Sequence, residues 1–246
     1  NPNSSKQEYK LDDSGSLVLP DDSDITFKQS NKPTKIGAEG GAVTIRPSEN
    51  GVEITAPKNG SIKINDVSFE NKGADEELVI AVGSDGNPVL ESGVADVPTG
   101  EQIKLAGGDT VTNKGGVDVT VGADGNIEMP DGSTVEIETG GKKNSYSAVE
   151  YTKLEYDPET GIPTLKNGSV SLGTGSSVGV IYNTIDNSEN ENFDEEEKAT
   201  ITSTGKESPT VKNDGTITVP RDGEVVIDSE VNKGEGENAV KEKARN

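Results

Sequence analysis

The side chains able to do chemistry in this chain are overwhelmingly carboxylates: 45 Asp and Glu stand against 23 Lys and Arg, and there is no His and no Cys. Lacking both of the latter removes imidazole and thiolate metal ligands, cysteine nucleophiles, Ser-His-Asp triads and histidine general bases. What remains is oxygen chemistry. Asp21, Asp22 and Asp24 form one dense group, and Asp194 with Glu195, Glu196 and Glu197 forms another. Both are candidates for calcium, the one cofactor the composition leaves open. Calcium asks for about six or more convergent oxygens, which adjacency along a chain does not supply. A solvated acidic loop is the competing reading.

The Asp-Gly pairs at Asp85, Asp124, Asp131, Asp214 and Asp222 lack the ligand spacing of an EF-type loop and read as turns. No carboxylate pair is set beside an aromatic pocket that would tune it for glycoside hydrolysis. Arginine is confined to Arg46, Arg221 and Arg245. No set of catalytic residues can be named, and the chain reads as a non-enzyme. Tyr146, Tyr151 and Tyr156 could stack on sugar rings, but a spacing of five puts successive rings on opposite faces of a strand. A local core cluster is the bland alternative.

The elements that must position these residues are strands. Val43-Thr44-Ile45, Val52-Glu53-Ile54, Ile62-Lys63-Ile64, Val117-Asp118-Val119, Ile127-Glu128-Met129, Val135-Glu136-Ile137 and Ile217-Thr218-Val219 alternate with period two, the signature of a strand with one buried face. Leu17-Val18-Leu19 reads as a strand covered on both faces. Pro20, Pro47, Pro57, Pro98, Pro130 and Pro220 are each followed five residues later by Ile or Val, with turn formers between. The unit is strand, Pro, polar corner, strand: Pro ends a ladder, and Gly or Asn permits positive φ.

With only 28% hydrophobic and 3% aromatic residues, the core must be thin. The expected fold is therefore all-β: a β-solenoid of short strands with Pro/Gly corners. The alternative is an antiparallel β-meander or sandwich, in which the same Asp-Gly pairs close hairpins. Along the chain, 1–15 reads as a polar leader, 16–183 as the β-repeat domain, 184–198 as an acidic loop or linker, 199–228 as a terminal β unit and 229–246 as a polar tail.

The net charge of -22 has the wrong sign for nucleic acid or anionic lipid. The longest apolar run, Leu78 to Val82, is far too short to span a bilayer, so no membrane insertion is expected. The chain opens without an initiator Met and reads as a mature fragment. Open sheet edges would permit self-association. Lys-Asn isopeptide bonds could take the place of disulfides.

The P-x4-[IV]-x-[ILF] units and the Gly215 to Pro220 strand, GTITVP, resemble repeats in large cell-surface, adhesin-like proteins of Gram-positive gut bacteria of the Firmicutes type. The resemblance implies a secreted or cell-surface location and a stalk, adhesin or glycan-binding module, with a host or environmental glycan or a surface protein as partner. Leu19-Pro20-Asp21-Asp22 and Val97-Pro98-Thr99-Gly100 both depart from a wall-sorting signal. Three functions are therefore weighed. The first is a non-catalytic structural or adhesive module. The second is a carbohydrate-binding module, with calcium as a possible aid. The third, with least support, is a polysaccharide-degrading β-helix enzyme.

Overall fold

The computed structural model describes residues 9, 11–28, 33–49, 51–185, 195–230 and 243–245. The chain builds two layers of strands by hopping between them, usually two strands at a time. The first layer holds β1 (Leu17–Leu19), and the second takes β2 (Asp24–Phe27) and β3 (Thr34–Glu39). The chain returns to the first for β4 (Val43–Ser48) and β5 (Gly51–Ala56), then to the second for β6 (Ser61–Ile64) and β7 (Val67–Glu70). β8 (Leu78–Gly83) and β9 (Pro88–Ser92) lie in the first layer, and β10 (Val94–Val97) alone in the second. β11 (Gln102–Leu105) and β12 (Thr110–Gly115) precede β13 (Val119–Gly122) and β14 (Asn126–Met129) across the core.

The alternation continues with β15 (Thr134–Thr139) and β16 (Lys142–Ala148), then β17 (Thr152–Glu155) and β18 (Thr164–Asn167) opposite them. β19 (Ser169–Leu172) stands alone in the first layer before β20 (Ser177–Ile185) and β21 (Glu195–Ser203) in the second. β22 (Thr210–Lys212) and β23 (Ile217–Thr218) close the first layer; β24 (Val225–Glu230) and β25 (Lys243–Arg245) close the second.

The first layer is one 12-stranded sheet. The second is a 4-stranded and a 9-stranded sheet, joined where Asn71 bridges Ala95 and the Lys72 N–H donates to Val94 O at 2.9 Å. Strand order within each sheet follows chain order, so every strand meets near neighbours in sequence. Twelve strands at about 4.8 Å spacing give a sheet roughly 50 Å across.

Every connection reverses the chain, which sets strand direction by parity. Sheet neighbours whose chain-order numbers differ by an odd number run antiparallel, as β5 and β8 do. The parallel pairs, β9 with β11 and β18 with β20, arise where a single strand, β10 or β19, was placed opposite instead of a hairpin. The same parity decides where loops lie. Before β10 all crossings between layers fall on one rim and all hairpin turns on the other. β10 exchanges the two rims, and β19 exchanges them back.

Inward positions of both layers form one apolar cluster, from Leu19, Ile54 and Ile80 through Ile103, Ile127 and Val135 to Val178 and Ile201. Each such Val, Leu or Ile contributes about 1.5–3 kcal/mol relative to exposure. Because each strand supplies only two or three of them, the core is thin, as the composition requires.

The alternating runs are strands, and the fold is all-β, but the solenoid expectation is corrected. A solenoid stacks its coils in parallel, whereas here hairpins and crossings give ladders that are antiparallel except at the two pairs above; the antiparallel sandwich fits. The Pro unit is neither a solenoid corner nor a hairpin. At Pro20, Pro57, Pro98, Pro130 and Pro220 it is the crossing from one layer to the other. Four of these prolines accept a hydrogen bond from the N–H three residues on: Gly60, Glu101, Ser133 and Gly223, at 3.0 to 3.1 Å. Two residues after four of the prolines stand Asp22, Asn59, Gly100 and Gly132, all with positive φ, as a type II turn requires.

Pro47 departs from this rule. It sits inside β4, facing Val52 within one sheet. β1 pairs only as far as Ile45, so the missing N–H costs no ladder bond.

Two further expectations change. Val18 is exposed on one face, not covered on both. The segment 184–198 is entered by strand from both sides, and β20 and β21 pair as far as Ile185 with Glu195. Its middle, 186–194, lies outside the described residues; β20 and β21 are neighbours in one sheet, and β22 pairs back onto β19, so 199–228 continues the same two layers.

Candidate functional site

The outward face of the second layer carries hollows lined by charged and polar side chains. A glycine inside a strand removes one side chain from a face where its lateral neighbours keep theirs, and a hollow results. Among the described residues three hollows on this face include a strand glycine, although at Gly122 the Asp124 carboxylate folds over the vacated position. One of about 190 Å³ includes Gly37 of β3, flanked by Asp24, Lys35 and Lys63. Gly37 faces Asp24 on one side and Lys63 on the other in the strand register, and Lys35 Nζ pairs with Asp24 Oδ2 at 3.2 Å.

A second, of about 300 Å³, includes Gly122 of β13 beside Thr120, Asn126, Glu128 and Lys153. Glu128 binds Lys153 Nζ at 2.6 Å through one oxygen and accepts from the Tyr151 hydroxyl at 2.6 Å through the other. The bond from Lys153, then that from Tyr151, hold the Glu128 carboxyl below its ordinary range. Lys153 also stands 5.9 Å from the centre of the Tyr151 ring. The hollow and the exposed ring therefore share two charged side chains.

The third, also about 300 Å³, includes Gly179 of β20 among Thr164, Lys198, Thr200 and Asp228, with the β17–β18 loop contributing Asp157 and Thr160. Thr164, Gly179, Thr200 and Asp228 occupy one lateral row across four strands. Asp157 is held by the Glu159 N–H and the Thr160 hydroxyl, both at 2.9 Å.

No protein-family model, curated protein or solved structure matches this chain. Its chemistry has to be read from its own geometry.

The three tyrosines grouped by sequence are separated by the fold. Tyr146 is fully buried, its hydroxyl donating to Ser177 O across the core at 2.6 Å. Tyr156 is buried against Thr139, 2.5 Å from its hydroxyl. Neither presents a ring to solvent. Tyr151 is 45% exposed, and Tyr182, which the sequence reading did not single out, is 44% exposed.

The acidic candidates also divide. Asp21 is used as a turn residue, its Oδ1 accepting from the N–H groups of Asp22 and Gly41. Asp22 and Asp24 line the first hollow, where Asp24 is paired with Lys35. Asp194 and the side chains of Glu195 and Glu196 lie outside the described residues. Among the described residues no group of three or more His, Cys, Asp or Glu converges in a way that could hold a metal ion. Asp85, Asp124 and Asp214 of the Asp-Gly pairs accept from main-chain N–H groups two residues on, at 2.9 to 3.1 Å, closing the turns.

Sequence reading missed the glycines. Their signal is present in Lys35-Ile36-Gly37-Ala38 and Val178-Gly179-Val180, where Gly stands at an outward position of an alternating strand. It also missed Asn71 and Asn113, each heading an Asn-Lys-Gly tripeptide and each fully buried.

Proposed function

We infer that this chain is a non-catalytic structural and adhesive module of a secreted or cell-surface protein. The observation that carries the reading is the serial two-layer architecture. Each strand meets only near neighbours in sequence, so the slab can gain length without changing its core, as a spacer must. Strongly acidic character keeps such a slab soluble and repels polyanions. A chain with neither His nor Cys lacks the commonest general base and nucleophile.

The test combines scattering with an activity panel on the purified chain. An elongated scattering envelope, with no new reducing ends after incubation with pectin, glucomannan or mucin glycans, is the expected result. Sugar release would overturn the non-catalytic reading, and a near-spherical envelope would overturn the spacer.

The second reading, a carbohydrate-binding module, is favoured by the Tyr151–Glu128–Lys153 arrangement. An apolar ring face edged by a carboxylate and an ammonium suits a polyhydroxyl ring.

A further inference from the structure

Two of the glycine hollows lie on one lateral row of the second layer. In the second layer the strands follow the order β2-β3-β6-β7-β10-β13-β14-β17-β18-β20, counted across the Asn71–Ala95 bridge. Gly122 on β13 and Gly179 on β20 are therefore four strands apart on one row, through Asn126, Glu155 and Thr164, whereas Gly37 on β3 is four strands from Gly122 but level with a different row, that of Lys63 and Ser68. Four inter-strand steps amount to about 19 Å. Every hollow combines a lysine with a carboxylate and is walled by further polar side chains, so donors and acceptors are present together without a single-sign field.

We propose that this outward face binds a linear neutral polysaccharide lying across the strands, seated at the Gly122 and Gly179 hollows. This rests on the adhesive reading above and assigns it a face and a ligand class. A pyranose ring repeats along such a polymer at close to one inter-strand spacing, so successive seats meet the same face of the polymer. Gly179 opens space for a ring, Thr120, Asn126 and Thr200 offer hydroxyl and amide partners, and Tyr151 supplies an apolar face beside the Gly122 hollow. The charge of -22 selects against uronate and sulfated polymers. Weak seats in series give useful retention only together.

Gly179→Val tests the idea with a built-in control. A Cβ at Gly179 would meet Thr164 Oγ1 at 3.2 Å, a close contact that the hydroxyl has to turn away to relieve, while Val suits a strand better than Gly. The variant fills the seat, and its melting temperature, measured alongside, reports that the fold is kept. Affinity electrophoresis through gels containing glucomannan, xylan or mixed-linkage β-glucan, with polygalacturonate as the anionic comparison, reads binding directly. Retardation of the native chain by at least one neutral polymer is expected, weakened roughly tenfold in Gly179→Val through loss of one seat. Tyr151→Ala and Thr200→Val, which leave the backbone untouched, should weaken it as well.

Three results would each overturn the proposal: no retardation by any neutral polymer, retardation unchanged in all three variants, or stronger retardation by polygalacturonate. An elongated, non-hydrolytic chain that ignores every neutral polymer defeats this inference and leaves the structural reading standing. Sugar release defeats the structural reading instead.

Discussion

The side-chain amide of Asn113 donates to the carbonyl of Val97 at 2.9 Å, across the crossing that Pro98 begins. The same amide reaches Val117 O at 2.9 Å, and Asn113 Oδ1 accepts from the Gly115 N–H at 3.1 Å. Asn71 repeats the arrangement on the other layer, donating to Ala56 O, Pro57 O and Glu76 O and accepting from Gly73. A strand that ends at Pro leaves its last carbonyl without a ladder partner inside the core. The asparagine at the end of the following hairpin takes that carbonyl, and fastens the crossing out to the crossing back.

Asn113→Ala should therefore cost about 2–3 kcal/mol, because it orphans the buried Val97 carbonyl and takes a partner from the part-buried Val117 carbonyl and Gly115 N–H. Urea titration should show a lower midpoint with an unchanged slope. A loss below half a kcal/mol would mean that water enters and takes over the amide's role.

Gly168 and Gly175 share a φ of +81° but not an environment. A Cβ at Gly168 would fall 2.3 Å from Tyr151 O, whereas at Gly175 it meets nothing within 4 Å. Gly175→Ala should cost about 1 kcal/mol, the left-handed penalty alone. Gly168→Ala adds a backbone clash and should lower the melting temperature markedly more. Equal losses would refute the crossing geometry at β18–β19.

Asp96 is half-buried on β10, and burial lifts its carboxyl above the ordinary range, with Asp118 and Glu70 adding and Lys72 opposing. A carboxyl raised in the folded state binds its proton more tightly there. The native fold is then favoured below the unfolded value near 3.9, and that advantage is lost as pH climbs through the folded one. Asp96→Asn should raise the melting temperature at pH 7, with the difference vanishing in acid below that range. A lower melting temperature at pH 7 would show that pairing with Lys72 outweighs burial.

Burial pushes Tyr156 up to about 12 and raises Tyr146 further still. Both stay protonated through the ordinary tyrosine range near 10. Their contribution to stability is present below that range and disappears as pH rises through the folded values. Absorbance at 295 nm should show these two ionising only with cooperative unfolding. Smooth titration of all five tyrosines near pH 10 would contradict the burial described.

Period-two alternation made the strands readable because each needs only its own sequence to declare a buried face. The corners were readable too, since Pro and a positive-φ residue act locally. What a corner joins is not local. Asp131-Gly132 between β14 and β15 has the composition of a hairpin turn, yet it crosses the core, while Asp124-Gly125 between β13 and β14 does close a hairpin. Only the partner strand distinguishes them, and that partner lies many residues away. The tyrosines misled for a related reason: closeness in sequence put them in one segment, and the fold placed two inside and one outside. The Gly122 and Gly179 seats belong to strands far apart in the chain, so their shared row exists only in the assembled layer.

The lone strands β10 and β19 make the architecture a counting device. An insertion or deletion of two strands leaves every later loop on its present side. A change of one strand carries all of them to the opposite side, with the hydrophobic interior untouched. Lineages of such a chain can thus transpose an entire array of surface loops in a single step.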